Sequence, residues 1–251
     1  MNTRLPLNRN EKHYCLPSYR GLHVINHRGP LVEKYLEDTF RTIECALADY
    51  PKVFAFRFDL RFPSGSDGWV TNVISRFTES FKAQIKAYLN QQGFRDDVCT
   101  PRFIWAKERN VSKNIHYHVI VLMNKNVFFR SGCINSENWN LARRVEQAWA
   151  TALEIDFIEA VGLVEFPRNR DYIVNRHSPE FLQQLTNLFY RASYLTKEET
   201  KEYCDGTRHF SCSHFTPLPM EFSLEELILY HKHELHHLKP DEYLSSEQAT
   251  V

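Results

Sequence analysis

Residues 52–62 read KVFAFRFDLRF. An apolar side chain falls on every second position (Phe54, Phe56, Phe58, Leu60, Phe62), and charges fall between them (Arg57, Asp59, Arg61). Only an extended chain, whose side chains alternate between two faces, sorts such a run into one apolar side. The pattern therefore predicts a β-strand, and a strand needs partners for its backbone N–H and C=O groups. Two strand-like runs, 101–109 and 115–123, supply them; the polar stretch NVSKN between them predicts a hairpin.

Helical periodicity fills the intervals. Residues 30–50 place Leu31, Tyr35, Leu36, Phe40, Ile43 and Leu47 on one side, and Pro51 ends the run. Residues 72–91 do the same with Val73, Ile74, Phe77, Phe81, Ile85 and Leu89, followed by Gly93. Further helices are expected over 138–153, 179–200 and 224–238, and a strand within 155–166. Residues 1–28 are basic with little period and read as an arm or loop. This order predicts an α+β fold with a mainly antiparallel sheet flanked by helices.

Charge separates along the chain although 31 Lys and Arg balance 31 Asp and Glu. From Arg102 to Arg144 there are eight Lys and Arg against Glu108 and Glu137, whereas eleven acids against four Lys and Arg run from Glu198 to the end. Arg102, Arg109, Lys113, Arg143 and Arg144 are thus candidates for contact with a nucleic-acid backbone, and Trp105 for stacking on bases. Six cysteines without a CxxC pair fit a reduced, cytoplasmic protein. With no run of 18 apolar residues and no apolar stretch at the N-terminus, neither a membrane span nor a secretory signal is expected.

Three features carry chemistry. His116 and His118 flank Tyr117, so on a strand both imidazoles share a face. Glu108 precedes them on the other arm of the hairpin, where a short turn sets it beside them; Asp59 is a second candidate for the acidic ligand. Two imidazoles and a carboxylate leave open positions on a divalent ion. Finally, Tyr190, Tyr194 and Lys197 are spaced to share one side of a helix. Taken singly, each is also an ordinary packing or surface residue.

The ordered set of Glu108, the His116-Tyr117-His118 strand and a downstream YxxxYxxK helix resembles the HUH replication initiators. The wider text, from VFAFRFDLRFP through IWAKERN and HYHVIVLMN to LFYRASYLTK, resembles inovirus gene II-type and YagK/YfjJ-like prophage proteins over about residues 30–215. The first strand matches that superfamily by position, without the usual threonine-rich form. The resemblance implies an HUH endonuclease-like central antiparallel sheet. It implies a domain at 29–219, between a basic arm at 1–28 and an acidic helix and tail at 220–251.

It also implies a chemistry. Glu108, His116 and His118 would hold Mg²⁺ or Mn²⁺. Tyr194, assisted by Lys197, would cut single-stranded or origin DNA and keep a 5′-phosphotyrosine; Tyr190 would serve the second transfer. A host polymerase would extend the free 3′-hydroxyl during rolling-circle replication of a phage, prophage or plasmid. A host helicase would be needed, since no GxxxxGK[ST] loop occurs. The rival expectations are a non-catalytic DNA-binding or regulatory protein and a transposase or relaxase. The HExxH match at His233–His237 is expected to be incidental, as is a zinc site from Cys204, Cys212 and His214, whose spacing suits no ribbon or finger.

Overall fold

The structure is a computed structural model. It describes residues 11–27, 29–65, 72–109, 115–134, 138–198, 208–213 and 223–235. In chain order the elements are β1 (His13–Tyr14), β2 (Ser18–Tyr19), β3 (Leu22–His23), β4 (Leu31–Val32), α1 (Glu33–Asp49), β5 (Lys52–Arg61), α2 (Val73–Gln91), β6 (Arg102–Arg109), β7 (Ile115–Asn124), α3 (Leu141–Leu153), α4 (Phe157–Ala160), β8 (Val164–Glu165), β9 (Asp171–Asn175), α5 (Phe181–Ser193), β10 (Phe210–Cys212) and α6 (Leu224–Leu235).

The alternating run becomes β5, at the heart of a six-stranded antiparallel sheet ordered β10-β6-β7-β5-β8, with β9 pairing β5 beside β8. Both faces are covered. Phe54, Phe56, Phe58 and Leu60 pack with Phe77, Phe81 and Ile85 of α2 and Val145 and Trp149 of α3. Burying each such large side chain contributes roughly 1.5–3 kcal/mol. The Trp149 indole N–H donates to the Arg61 carbonyl at 2.7 Å, which fixes α3 under the end of β5. On the opposite face Val53, Ala55, Ile104, Ala106, Ile120 and Leu122 pack under α1 and α5.

α2 ends as its sequence suggests: Gly93 adopts φ +74°, and the Phe94 N–H returns to the Leu89 carbonyl at 2.9 Å. At the N-terminus the lack of period translates into two-residue bridges, β1 with β4 and β2 with β3. Tyr14, Tyr19, Leu22 and Val24 nevertheless enter the α1/α5 core. β9 and β10 were not expected; at five and three residues they are too short to show a period.

The helix expected over 179–200 stops early. α5 closes at Ser193, and Tyr194–Thr196 form a tighter 3₁₀ turn. The Ser193 hydroxyl donates to the Tyr190 carbonyl and the Thr196 hydroxyl to the Ser193 carbonyl. Hydroxyls so placed compete with the backbone N–H groups for carbonyls and loosen the α-helical ladder. The Ile25 N–H, donating to the same Ser193 oxygen at 2.9 Å, holds this turn against the N-terminal segment.

Candidate active site

Under α1 and α5 each central strand changes character along one face. β5 presents Val53 and Ala55, then Arg57 and Asp59. β6 presents Ile104 and Ala106, then Glu108; β7 presents Leu122 and Ile120, then His118 and His116. Period-two geometry thus collects five ionisable groups at one end of the sheet. Arg57, Asp59, Glu108 and His118 are all buried.

The hairpin register sets Glu108 directly opposite His116 and Ala106 opposite His118. His116 Nε2 and His118 Nε2 lie 3.2 Å apart, and His118 Nε2 is 3.4 Å from Glu108 Oε2. One ligand atom from each of Glu108, His116 and His118 fits within 4.8 Å of the others, which is a possible metal-binding triad. Two imidazole nitrogens and one carboxylate oxygen suit a divalent ion that keeps open positions.

Asp59 is not part of that convergence. Its Oδ1 lies 2.7 Å from Nδ1 of His118, on the other side of the ring. A proton on Nδ1, donated to Asp59, leaves the Nε2 lone pair facing Glu108 and His116, which is the tautomer a metal ligand needs. The Arg57 guanidinium stands 3.5 Å from the same carboxylate oxygen. Burial pushes the Asp59 carboxyl up, but the hydrogen bond and charge of His118 and the charge of Arg57 outweigh it, and the group titrates below its ordinary range. Burial likewise pushes His118 down, while its hydrogen bonds to Asp59 and Glu108 raise it above the ordinary imidazole value.

Tyr194 closes the site from the 3₁₀ turn. Its ring meets that of His118 edge-on at 5.4 Å between centroids. Lys197 Nζ lies 3.7 Å from the centre of the Tyr194 ring and 3.9 Å from Glu108 Oε2, and the Arg57 guanidinium lies 5.5 Å over the same ring. Lys197 is held there by a backbone bridge to Leu31 and by the neighbouring Glu198 N–H, which donates to the Pro30 carbonyl at 3.1 Å.

Tyr190 does not join this group. It is 39% exposed and lines a separate hollow with Arg168, Tyr172 and Arg191. Tyr190 lies within α5, whereas Tyr194 stands where α5 gives way to the tighter turn, with its ring against His118. Of the basic candidates, Arg102 is buried and donates to Asp49 from Nε and Nη2 at 2.7 and 2.6 Å, so it ties α1 to the sheet. Arg109 sits at the end of β6 opposite Ile115. Arg143 pairs with Glu146 at 3.0 Å, and Arg144 lies over the Tyr88 ring at 4.7 Å. Lys113 lies outside the described residues.

Trp105 packs against the α2/α3 core, 5.7 Å from Tyr117. Cys212 is buried in β10 and its thiol is pushed up to about 12, mainly by desolvation. Cys204, His214, His236 and His237 fall outside the described residues. Among the described residues no helix is long and apolar enough to cross a membrane.

Residues 16–213 match the family described as the YagK/YfjJ C-terminal domain. The uncharacterized protein YagK of Escherichia coli (strain K12) is 32% identical over 207 residues, covering 77% of this chain and 94% of the relative. The uncharacterized protein YfjJ of the same strain is 29% identical over 199 residues, covering 74% and 96%. A solved structure of the N-terminal nuclease domain of the minute virus of mice non-structural protein 1 aligns over 72% of this chain and 78% of that one. At 10% identity and a TM-score of 0.24, that likeness is too weak to bear on the chemistry of this chain. The family match runs from β2 through β10 and takes in the strands and the turn that carry Glu108, His116, His118, Tyr194 and Lys197; this chain belongs to the YagK/YfjJ C-terminal domain family.

Proposed function

We propose that this protein nicks and rejoins one strand of DNA through a covalent tyrosine intermediate, starting rolling-circle replication of a phage, prophage or plasmid. One observation carries the reading: Tyr194 lies edge-on to His118 at 5.4 Å, while Lys197 reaches both its ring and Glu108. A nucleophile type, a metal-ligand triad and a buried cation meet at one point.

The Tyr194 oxygen attacks the scissile phosphorus and its phenolic proton passes to water. The P–O3′ bond breaks, and the departing 3′ oxygen takes up a proton. The strand is left as a 5′-phosphotyrosine and a free 3′-hydroxyl, which a polymerase can extend. Attack by a 3′-hydroxyl on the phosphotyrosine reverses the exchange, so no nucleotide cofactor is consumed. Lys197 and Arg57 place positive charge where the phosphate must come. Glu108, His116 and His118 would hold Mn²⁺ or Mg²⁺, which when bound polarises the phosphate as a Lewis acid. Asp59 orients His118. Tyr190, in its own hollow, fits a contact to the strand better than a second nucleophile.

The test is incubation with labelled single-stranded oligonucleotides tiling the DNA around the gene, with Mn²⁺, followed by denaturing electrophoresis and peptide mass spectrometry. The expected adduct maps to Tyr194 and disappears in Tyr194→Phe and in EDTA. An adduct undiminished in folded Tyr194→Phe would refute the assignment.

A further inference from the structure

Away from the candidate metal site, two large aromatic side chains stand in solvent beside one hollow. Phe129 is 57% exposed and Trp139 60% exposed. Both line a hollow of about 640 Å³ together with Tyr88, Arg130, Arg144 and Arg170. A second hollow, of about 590 Å³, is lined by Arg168, Arg170, Tyr172, Tyr190 and Arg191 among others. Arg170 and Asp171 line both, so the two hollows adjoin at these residues, beside the β8–β9 edge of the sheet, and together offer one track.

We propose that this track seats single-stranded DNA and leads it to Tyr194, an inference that rests on the nicking function above.

Its chemistry selects that ligand. Five arginines (Arg130, Arg144, Arg168, Arg170 and Arg191) line the track against one carboxylate, Asp171. That carboxylate is engaged inward, accepting from the Ser131 N–H at 3.2 Å and hydroxyl at 3.0 Å. Arg130 and Lys125 hold cations 5.4 and 6.0 Å from the Phe129 ring. Aromatic faces interleaved with arginine are what unpaired bases and their phosphates require: bases stack on the rings and the backbone tracks the cations. A duplex keeps its bases stacked on each other and has none to offer these rings. The Asn169 amide along the track supplies donors and acceptors for base edges.

The junction of the two hollows also adjoins the strand that carries the site. The Arg57 N–H donates to the Arg170 carbonyl at 2.8 Å, so the arginine common to both hollows is bonded to the residue whose guanidinium covers Tyr194. Tyr190, exposed in the second hollow, precedes Tyr194 by four residues.

The experiment is fluorescence anisotropy of a 5′-fluorescein dT20 oligonucleotide in EDTA, where no cutting intervenes, with the full-length protein. Base stacking on an aromatic ring contributes enough that Phe129→Ala with Trp139→Ala should weaken binding at least tenfold. Both side chains are solvent-facing, and an unchanged melting temperature will certify the fold. Arg130→Ala with Arg168→Ala should also weaken binding and flatten its dependence on salt. A loss of less than tenfold in the aromatic double variant overturns the track. So does preferential binding of a dT20·dA20 duplex or of phosphatidylserine vesicles. Adduct formation at saturating oligonucleotide is measured in parallel. An adduct without the affinity loss sinks the track and spares the nicking function; the affinity loss without an adduct does the reverse.

Discussion

Asparagine in place of Asp59 exchanges one heavy atom and tests how the proposed metal centre is held. In the native protein Asp59 Oδ1 lies 2.7 Å from His118 Nδ1 and 3.5 Å from Arg57, and the residue is 8% exposed. Asparagine keeps the shape and removes the charge. A hydrogen bond to a charged group contributes about 1.5–3 kcal/mol, and orienting partners of metal-bound histidines typically govern about 10- to 100-fold of metal affinity. The two figures agree, since each factor of ten corresponds to about 1.4 kcal/mol. Isothermal titration of Mn²⁺ into wild type and Asp59→Asn should therefore show a loss of about 10- to 100-fold with unchanged stoichiometry. Nitrogen NMR should show His118 losing its preference for the Nδ1–H tautomer. Some loss of melting temperature is expected too, because Arg57 is left beside a neutral group in a buried setting. Binding within threefold of wild type in a folded variant would refute the orienting role. Complete loss, equal to that of Glu108→Gln, would make Asp59 a ligand.

Three further outcomes are expected. Because His118 is raised above its ordinary value of 6.5 and must lose its proton to bind a metal, Mn²⁺ affinity should climb as pH rises above about 6.5, by up to about tenfold per unit, until the raised value is passed; in the metal-free protein the stability contributed by its carboxylate contacts should fall over the same interval, and a flat affinity between pH 6 and 8 contradicts both. Two imidazoles and one carboxylate favour Mn²⁺ over the oxygen-seeking Mg²⁺, so titrations with each ion should give the tighter constant for Mn²⁺, and parity would mean that the imidazoles are not both ligands. Ending the chain after Pro219 removes Leu224 and Ile228 from the α1/α5 core and the Glu44 acceptor from service to the Leu224 N–H, which should cost about 3–6 kcal/mol by chemical denaturation yet leave adduct formation intact; a folded but inactive truncation would place the C-terminal segment in the site.

Length and period decided how much of the molecule could be read from its sequence. The fold's centre was legible because β5, α2 and the β6–β7 hairpin are long enough to display their periods, and the hairpin's turn is short enough to fix Glu108 opposite His116. The partners of His118 were not, because alternation assigns Arg57 and Asp59 to a face without saying that α5 will cover it. The spacing of Tyr190 and Tyr194 was visible, but not the hydroxyls of Ser193 and Thr196 that accompany the change from helix to 3₁₀ turn at Tyr194. Arg102 reads as basic surface until Asp49, fifty-three residues away, is found against it. The Phe129 and Trp139 surface escaped because exposed aromatic rings and core aromatic rings look alike in a string of letters.

The ionisable patch beneath α5 has a consequence for how such a chain changes over generations. Arg57, Asp59, Glu108, His118 and Lys197 are all nearly excluded from water. Replacing buried charges of this kind with apolar side chains of similar size is often neutral or stabilising, by about 1–4 kcal/mol. The surrounding scaffold already offers valine, alanine, isoleucine and leucine one step along the same strands. A lineage released from selection on these groups would have an easy downhill route to a greasier and firmer sheet end. The polar patch is therefore the part of the molecule that mutation erodes first once use ceases, while the phenylalanine side of the same sheet persists as the record of the fold.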